Sequence, residues 1–196
     1  MTSHNFDQSL LREKEFFSKA DLFYSAKLSA TNINRFDYKT DEGKKMQLLD
    51  VDLSFNIDNI TKLVSEKKRG RNYGDLYLET FSKYPHTKGW MTHTKANLLA
   101  YFFIDSALIV NMDQLKEFFE NKLNPLLKEE WYKEINSFKN SSRRIPKIIS
   151  LELNNYEINI IQAYNNTRGI EWHTLGISVP LKVLKDNNIS YSIYSL

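Results

Sequence analysis

Three acidic side chains stand inside apolar, strand-like stretches of this chain: Asp52, Glu66 and Glu79. Glu66 is followed two residues later by Lys68, which strand alternation puts on the same face. Acids rarely occupy such positions without a partner, because burying an unpaired carboxylate costs several kcal/mol. Carboxylates gathered from adjacent strands do have a use when they share a hard divalent cation. Mg²⁺ takes oxygen ligands, usually one or two carboxylates together with water and a substrate phosphate. A lysine beside such a site supplies a positive charge for the phosphate and can orient or deprotonate the attacking water. These groups are the minimum set for hydrolysing a phosphodiester.

The tripeptide acid-any-lysine is cheap, since it recurs at Asp37/Lys39, Glu42/Lys44 and Glu120/Lys122. Only Glu66/Lys68 falls on a strand-like segment that follows an acid-bearing one, with Asp52 upstream. The bland alternative is a solvated edge-strand pair worth a few tenths of a kcal/mol. Basic residues crowd the same stretch: Lys67, Lys68, Arg69 and Arg71, with Lys83, Lys88 and Lys95 following. A phosphate-bearing partner accounts for that coincidence better than a solvated charge run. Tyr73, Tyr77 and Trp90 could stack on bases, although aromatics at strand parity more often fill a core.

These groups need elements to hold them. The first 28 residues read as a helix, with Phe6, Leu10, Phe17, Ala20 and Tyr24 on one face and Glu13 interrupting the stripe. Residues 29–46 are polar and read as loop. Alternation from Met46 to Phe55 predicts a strand that points Leu48, Asp50, Asp52 and Ser54 one way and Leu49, Val51, Leu53 and Phe55 the other. A turn at Asn56 to Asn59 leads to a second strand from Ile60 to Lys68, and Asp75 to Phe81 forms a third. Thr92 to Phe103 reads as a helix capped by Thr94. Further strands are expected at Ala107–Met112, Ile148–Leu153 and Glu157–Ala163, with helices from Asp113 and over Leu181–Lys185. This mixture argues for an α/β or α+β fold with one central sheet.

An N-terminal helix with a glutamate, a strand carrying aspartate, a Glu-x-Lys strand and a following helix resemble the PD-(D/E)XK nuclease superfamily. The resemblance is nearest to its small phage and bacterial members. It rests on Gln47 to Asp52, on Glu66/Lys68, on the apolar strand Leu76-Tyr77-Leu78-Glu79 and on the pair Gly89-Trp90. It covers roughly residues 6–120 of a single 1–196 domain, with residues 121–196 as a C-terminal elaboration. Val51 stands where a proline is frequent, and Asn97 where an acid is frequent.

The resemblance implies a restriction-endonuclease-like fold, a mixed central β-sheet flanked by helices, and Mg²⁺-dependent cleavage of DNA by a phage or mobile-element endonuclease, with Mn²⁺ as a substitute. Asp52 and Glu66 would hold the metal and Lys68 would face the scissile phosphate. Glu79 would be a further acid at the metal site or a supporting partner of Lys68, Glu13 a carboxylate at the site's edge and Gln47 a flanking polar contact. Lys67, Arg69, Arg71 and Lys95 would touch DNA. A homodimer aligning two sites is left open. The competing class is a catalytically inactive DNA-binding or protein-interaction module on the same fold.

Composition trims the other classes. With no cysteine, disulfide frameworks, zinc ribbons and thiol catalysis are excluded, and a reducing, cytoplasmic setting is expected. No apolar run approaches the roughly 20 residues of a membrane span. The 27 basic against 24 acidic side chains leave a net charge of +3, which permits a nucleic-acid partner without demanding one. The four histidines lack metal-binding spacing, and no glycine-rich phosphate loop or serine elbow occurs.

Overall fold

Ile60–Lys68 forms a strand over its full expected length, and the rest of the fold is organised around it. The computed structural model describes residues 6–137, 147–167 and 170–196, with side chains over 15–135, 148–165 and 170–196. In chain order the elements begin with α1 (Phe6–Leu28), β1 (Thr31–Arg35), α2 (Asp41–Leu48), β2 (Leu53–Ile57) and β3 (Ile60–Lys68). They continue with β4 (Asp75–Lys83), β5 (Thr87–Lys88), a 3₁₀ turn (Trp90–Thr92), β6 (Leu98–Phe102), β7 (Ser106–Asn111) and α3 (Met112–Phe118). After α3 come α4 (Glu129–Ser137), β8 (Lys147–Leu153), β9 (Tyr156–Thr167), β10 (Ile170–Pro180), α5 (Leu181–Asp186) and β11 (Tyr191–Ser195).

The fold is mixed α/β, but with two sheets where one central sheet was expected. The first has the order β1-β2-β3-β6-β7-β11 and the second β5-β4-β10-β9-β8. Every pairing is antiparallel except β3 with β6. The expected third strand, β4, therefore leaves the sheet of Asp52 and Glu66 and joins the other. The residues after 120 complete both sheets, since β10 pairs with β4 and β11 with β7.

Two segments differ from their sequence reading, each for a local reason. Within 29–46, Thr40 caps α2 by accepting the Gly43 N–H at 3.0 Å, and Asp41 and Glu42 favour its N-terminal turn. Helix α2 therefore takes Met46 to Leu48 out of the expected strand. Within 92–103, the run Leu98-Leu99-Ala100-Tyr101-Phe102 is β6, held between β3 and β7 and buried on both faces. A short, uniformly apolar run carries no period, so helix and strand look alike in it.

Three apolar clusters hold the layers. Ala20, Phe23 and Tyr24 of α1 pack on Leu53, Phe55, Val64 and Phe102, covering one face of the first sheet. On its other face Leu99, Tyr101, Leu108 and Val110 meet Leu76, Leu78, Ile177 and Val179 of the second sheet. Tyr132 and Ile135 of α4 cover Phe81, Ile160 and Leu175. Among the described residues no helix is long and apolar enough to cross a membrane.

Candidate active site

Alternation along β3 sends its polar residues to two different environments. Val64, Glu66 and Lys68 face α1. There the Glu66 carboxylate accepts from the Tyr24 hydroxyl at 2.7 Å and from both terminal nitrogens of Arg35 at 2.8 and 3.1 Å. Arg35 is braced in turn by Asp21 at 2.8 and 3.0 Å, and its guanidinium lies 4.3 Å over the Phe17 ring. Burial, with the adjacent Glu66 charge, raises the Tyr24 hydroxyl well above its ordinary pKa, so it stays a donor. With only 6% of its side chain exposed, Glu66 is a fully engaged anchor between β3, β1 and α1. Lys68 is exposed, its ammonium 4.6 Å over the Phe16 ring.

Ser65 and Lys67 face the other way, and there the acids gather. Lys67 Nζ donates to Asp50 Oδ1 at 2.6 Å and lies 3.8 Å from Asp52 Oδ2. Ser65 Oγ donates to the second Asp50 oxygen at 2.6 Å. Asp52 Oδ2 accepts the backbone N–H of Glu66, also at 2.6 Å. Asp50 owes its position to the end of α2. The N–H groups of Asp50 and Val51 return to the carbonyls of Gln47 and Met46, closing a Schellman motif with Asp50 at φ 53°. That left-handed position usually belongs to glycine, and a non-glycine residue held there marks a candidate functional position. Desolvation raises the Asp52 carboxyl above the usual range, against the opposing pull of Lys67 and the Glu66 N–H.

Glu79 comes to this group from the second sheet. Its carboxyl is also raised, by burial first and by Asp50 further, while Lys67, the Trp90 N–H and His93 act against the shift. The Gly89-Trp90 pair is shaped around it. A Cβ on Gly89 would lie 2.4 Å from the Glu79 carbonyl oxygen and 2.7 Å from its Cγ, so only glycine fits. The Lys67 ammonium sits 5.6 Å from the centre of the Trp90 ring, and His93 Nδ1 lies 2.9 Å from the Gly89 carbonyl.

The residues expected from the sequence are thus brought together in part. Asp52, Glu66, Lys68 and Gln47 line one cleft of about 770 Å³, which Lys67 also reaches. Within it Glu66 is spent on Arg35 and Tyr24, and the lysine that reaches Asp52 is Lys67. Gln47 Nε2 donates to the Phe36 carbonyl at 2.9 Å. Arg69 is tied to Asp75 at 2.6 Å, Arg71 stacks near Tyr73, and Lys95 is exposed beyond α2. The Glu13 side chain lies outside the described residues. Asp50, Ser65 and Arg35 were not singled out from the sequence, although the doubled acid Asp50-Val51-Asp52 was a visible signal for the first.

Among the described residues no group of three histidine, aspartate or glutamate side chains is placed so that it could hold a metal ion. Carboxylate oxygens are the donor type that a hard divalent cation takes. Asp50, Asp52 and Glu79 supply such oxygens; both Asp50 oxygens are bound by Ser65 and Lys67, and burial raises the Asp52 and Glu79 carboxyls. No family model matches the chain, and no curated protein or solved structure matches it either.

Proposed function

We propose that this protein is a metal-dependent nuclease that hydrolyses DNA phosphodiesters, with Asp50, Asp52 and Glu79 as its acids and Lys67 as its lysine. The supporting observation is the approach of carboxylates from two sheets to the Lys67 ammonium, beside the cleft that Asp52 shares with Glu66 and Lys68. Asp50, Asp52 and Glu79 would hold Mg²⁺ or Mn²⁺. When bound, that ion supplies Lewis-acid stabilisation of charge building on the phosphate. Lys67, paired with Asp50 and close to Asp52, offsets the same charge from the side. Ser65 fixes the Asp50 carboxylate through its second oxygen, and the Trp90 N–H does the same for Glu79. Lys68, Arg71 and Lys95 supply positive charge for the DNA backbone.

One observation favours a second reading. The 2.6 Å contacts of Lys67 and Ser65 already satisfy Asp50, as they would in a fold that binds DNA without cutting it. Incubation of plasmid, duplex and single-stranded DNA with Mg²⁺ or Mn²⁺ separates the two. The nuclease reading expects cleavage that EDTA, Asp50→Asn and Glu79→Gln each abolish. A wild type that binds DNA and cuts none of these forms with either ion is the non-catalytic module.

A further inference from the structure

Beyond the acid cluster, a groove of about 710 Å³ runs from Glu79 along the second sheet to the loop that joins β3 and β4. Its floor is made by Ile161 and Ala163 of β9, by Asn165 at the strand's far end and by Thr174 of β10. These are apolar, amide or hydroxyl groups without charge. The wall is different. Tyr73 is 62% exposed, and two guanidiniums stack with its ring, Arg69 at 4.5 Å and Arg71 at 5.3 Å from the centroid. Arg69 is neutralised by Asp75, whereas Arg71 meets no carboxylate among the described residues. Gly74, at φ 75°, lets the chain turn sharply beside the ring.

We infer that this groove holds one unpaired strand of DNA, with its phosphates along Arg71 and a base stacked on the Tyr73–arginine ladder. Charge complementarity selects an anionic chain, and the alternation of cation and exposed ring selects one with planar groups along it. A duplex fits less well. Its bases are stacked inward behind two phosphate rails, so it would set phosphates against the apolar floor and leave Tyr73 without a partner. An unstacked strand places its bases on the ring and floor and its backbone on the cationic wall. This rests on the nuclease reading only for the direction of travel, which is toward Glu79. It narrows the substrate to single-stranded or flapped DNA.

Fluorescence anisotropy in EDTA, where nothing is cut, tests the inference with labelled oligothymidylate and a duplex of equal length. The single strand should bind more tightly than the duplex. Tyr73→Ala should weaken single-strand binding about tenfold, the lower range for one stacked base, and Tyr73→Phe should restore it. Arg71→Ala should reduce the slope of log K against log salt by about 0.7, one phosphate on a single strand. Both side chains are exposed, so these variants keep the fold. The inference is overturned if the duplex binds as well, if Tyr73→Ala binds like wild type, or if the protein binds neither DNA. The two proposals fail separately. Tyr73-dependent binding without cleavage under any divalent ion removes the nuclease reading alone, and cleavage with Tyr73-independent binding removes the groove alone.

Discussion

Replacing Glu66 with alanine distinguishes an anchor from a metal ligand. The substitution removes three hydrogen bonds at once and strands the Arg35 guanidinium, whose side chain is 20% exposed. Breaking a buried ion pair by deleting one partner costs about 3–5 kcal/mol. Arg35 keeps Asp21 and some solvent, which sets the expected loss at the lower end, about 3 kcal/mol. For a chain of this length each kcal/mol moves Tm by about 2–4 °C, so Glu66→Ala should melt about 6–12 °C lower by circular dichroism. Glu66→Gln keeps an acceptor for Tyr24 and should lose less. The double variant Arg35→Met/Glu66→Met should fall well short of the summed single losses, because it removes both charges together. Assayed well below its melting temperature, Glu66→Ala should cleave DNA within a few-fold of wild type. Wild-type Tm combined with abolished metal-dependent cleavage would refute the anchor and restore Glu66 to the metal.

The neighbouring lysines give an opposed pair: Lys67→Ala should slow single-turnover cleavage by about 10²–10³, as expected for loss of a charge-stabilising donor, and Lys68→Ala only a few-fold. The reverse ranking would move the site to the α1 face. Glu79→Gln should raise Tm by a few degrees at neutral pH while removing activity, since it ends the burial of a charge. The Glu79 pKa is raised in the folded state, so its stability contribution is complete below the ordinary glutamate range and is lost as pH rises through the raised value. Melting curves across pH should therefore show the variant and wild type coinciding in acid and separating as pH rises; a gap independent of pH would contradict the assignment. Gly89→Ala should cost about 1–3 kcal/mol in thermal unfolding by overpacking Glu79, with a change in Trp90 fluorescence. An unchanged Tm would mean that the close approach is easily relieved.

Much of the framework was legible where one face of an element is apolar. Helix α1 and strands β3, β4 and β8 follow the periodicity of their residues closely. What could not be read was which strand goes to which sheet, since β4 is as apolar as any strand of the first sheet. For the site, Asp52, Glu79, Lys67 and the Gly89-Trp90 pair were all visible as residue types. Asp52, Glu66 and Lys68 share a cleft as expected, but Glu66 is engaged there by Arg35 and Tyr24, and Lys67 is the lysine that nears Asp52. The Asp58-Asn59 turn, both residues at positive φ, sets Leu53 opposite Val64. Beyond Leu53 the register breaks: the Asp52 N–H returns to the Val64 carbonyl and the Asp52 carboxylate accepts the Glu66 N–H, so Asp52 lines the cleft of Glu66 and Lys68 while Lys67 also approaches it. Asp50 was hidden for another reason: helix α2 begins at a threonine cap inside a stretch that composition alone marks as loop.

The parallel pairing of β3 with β6 also governs how the chain can be made. The connection between these strands carries β4 and β5 out to the second sheet. Strand β4 then waits for β10, as Leu76 pairs with Val179 and Glu79 with Gly176. During synthesis the strand bearing Glu79 thus has only the two-residue β5 beside it until most of the chain has emerged. Loop closure over such a separation is entropically costly and makes folding slow. The β2–β3 hairpin, with α1 already made, can form early and present Asp52 and Lys67, while Glu79 arrives only when the late strands close the second sheet. A nascent or truncated chain would therefore carry half of the acid cluster without the other half, and the full cluster would exist only in a completed fold.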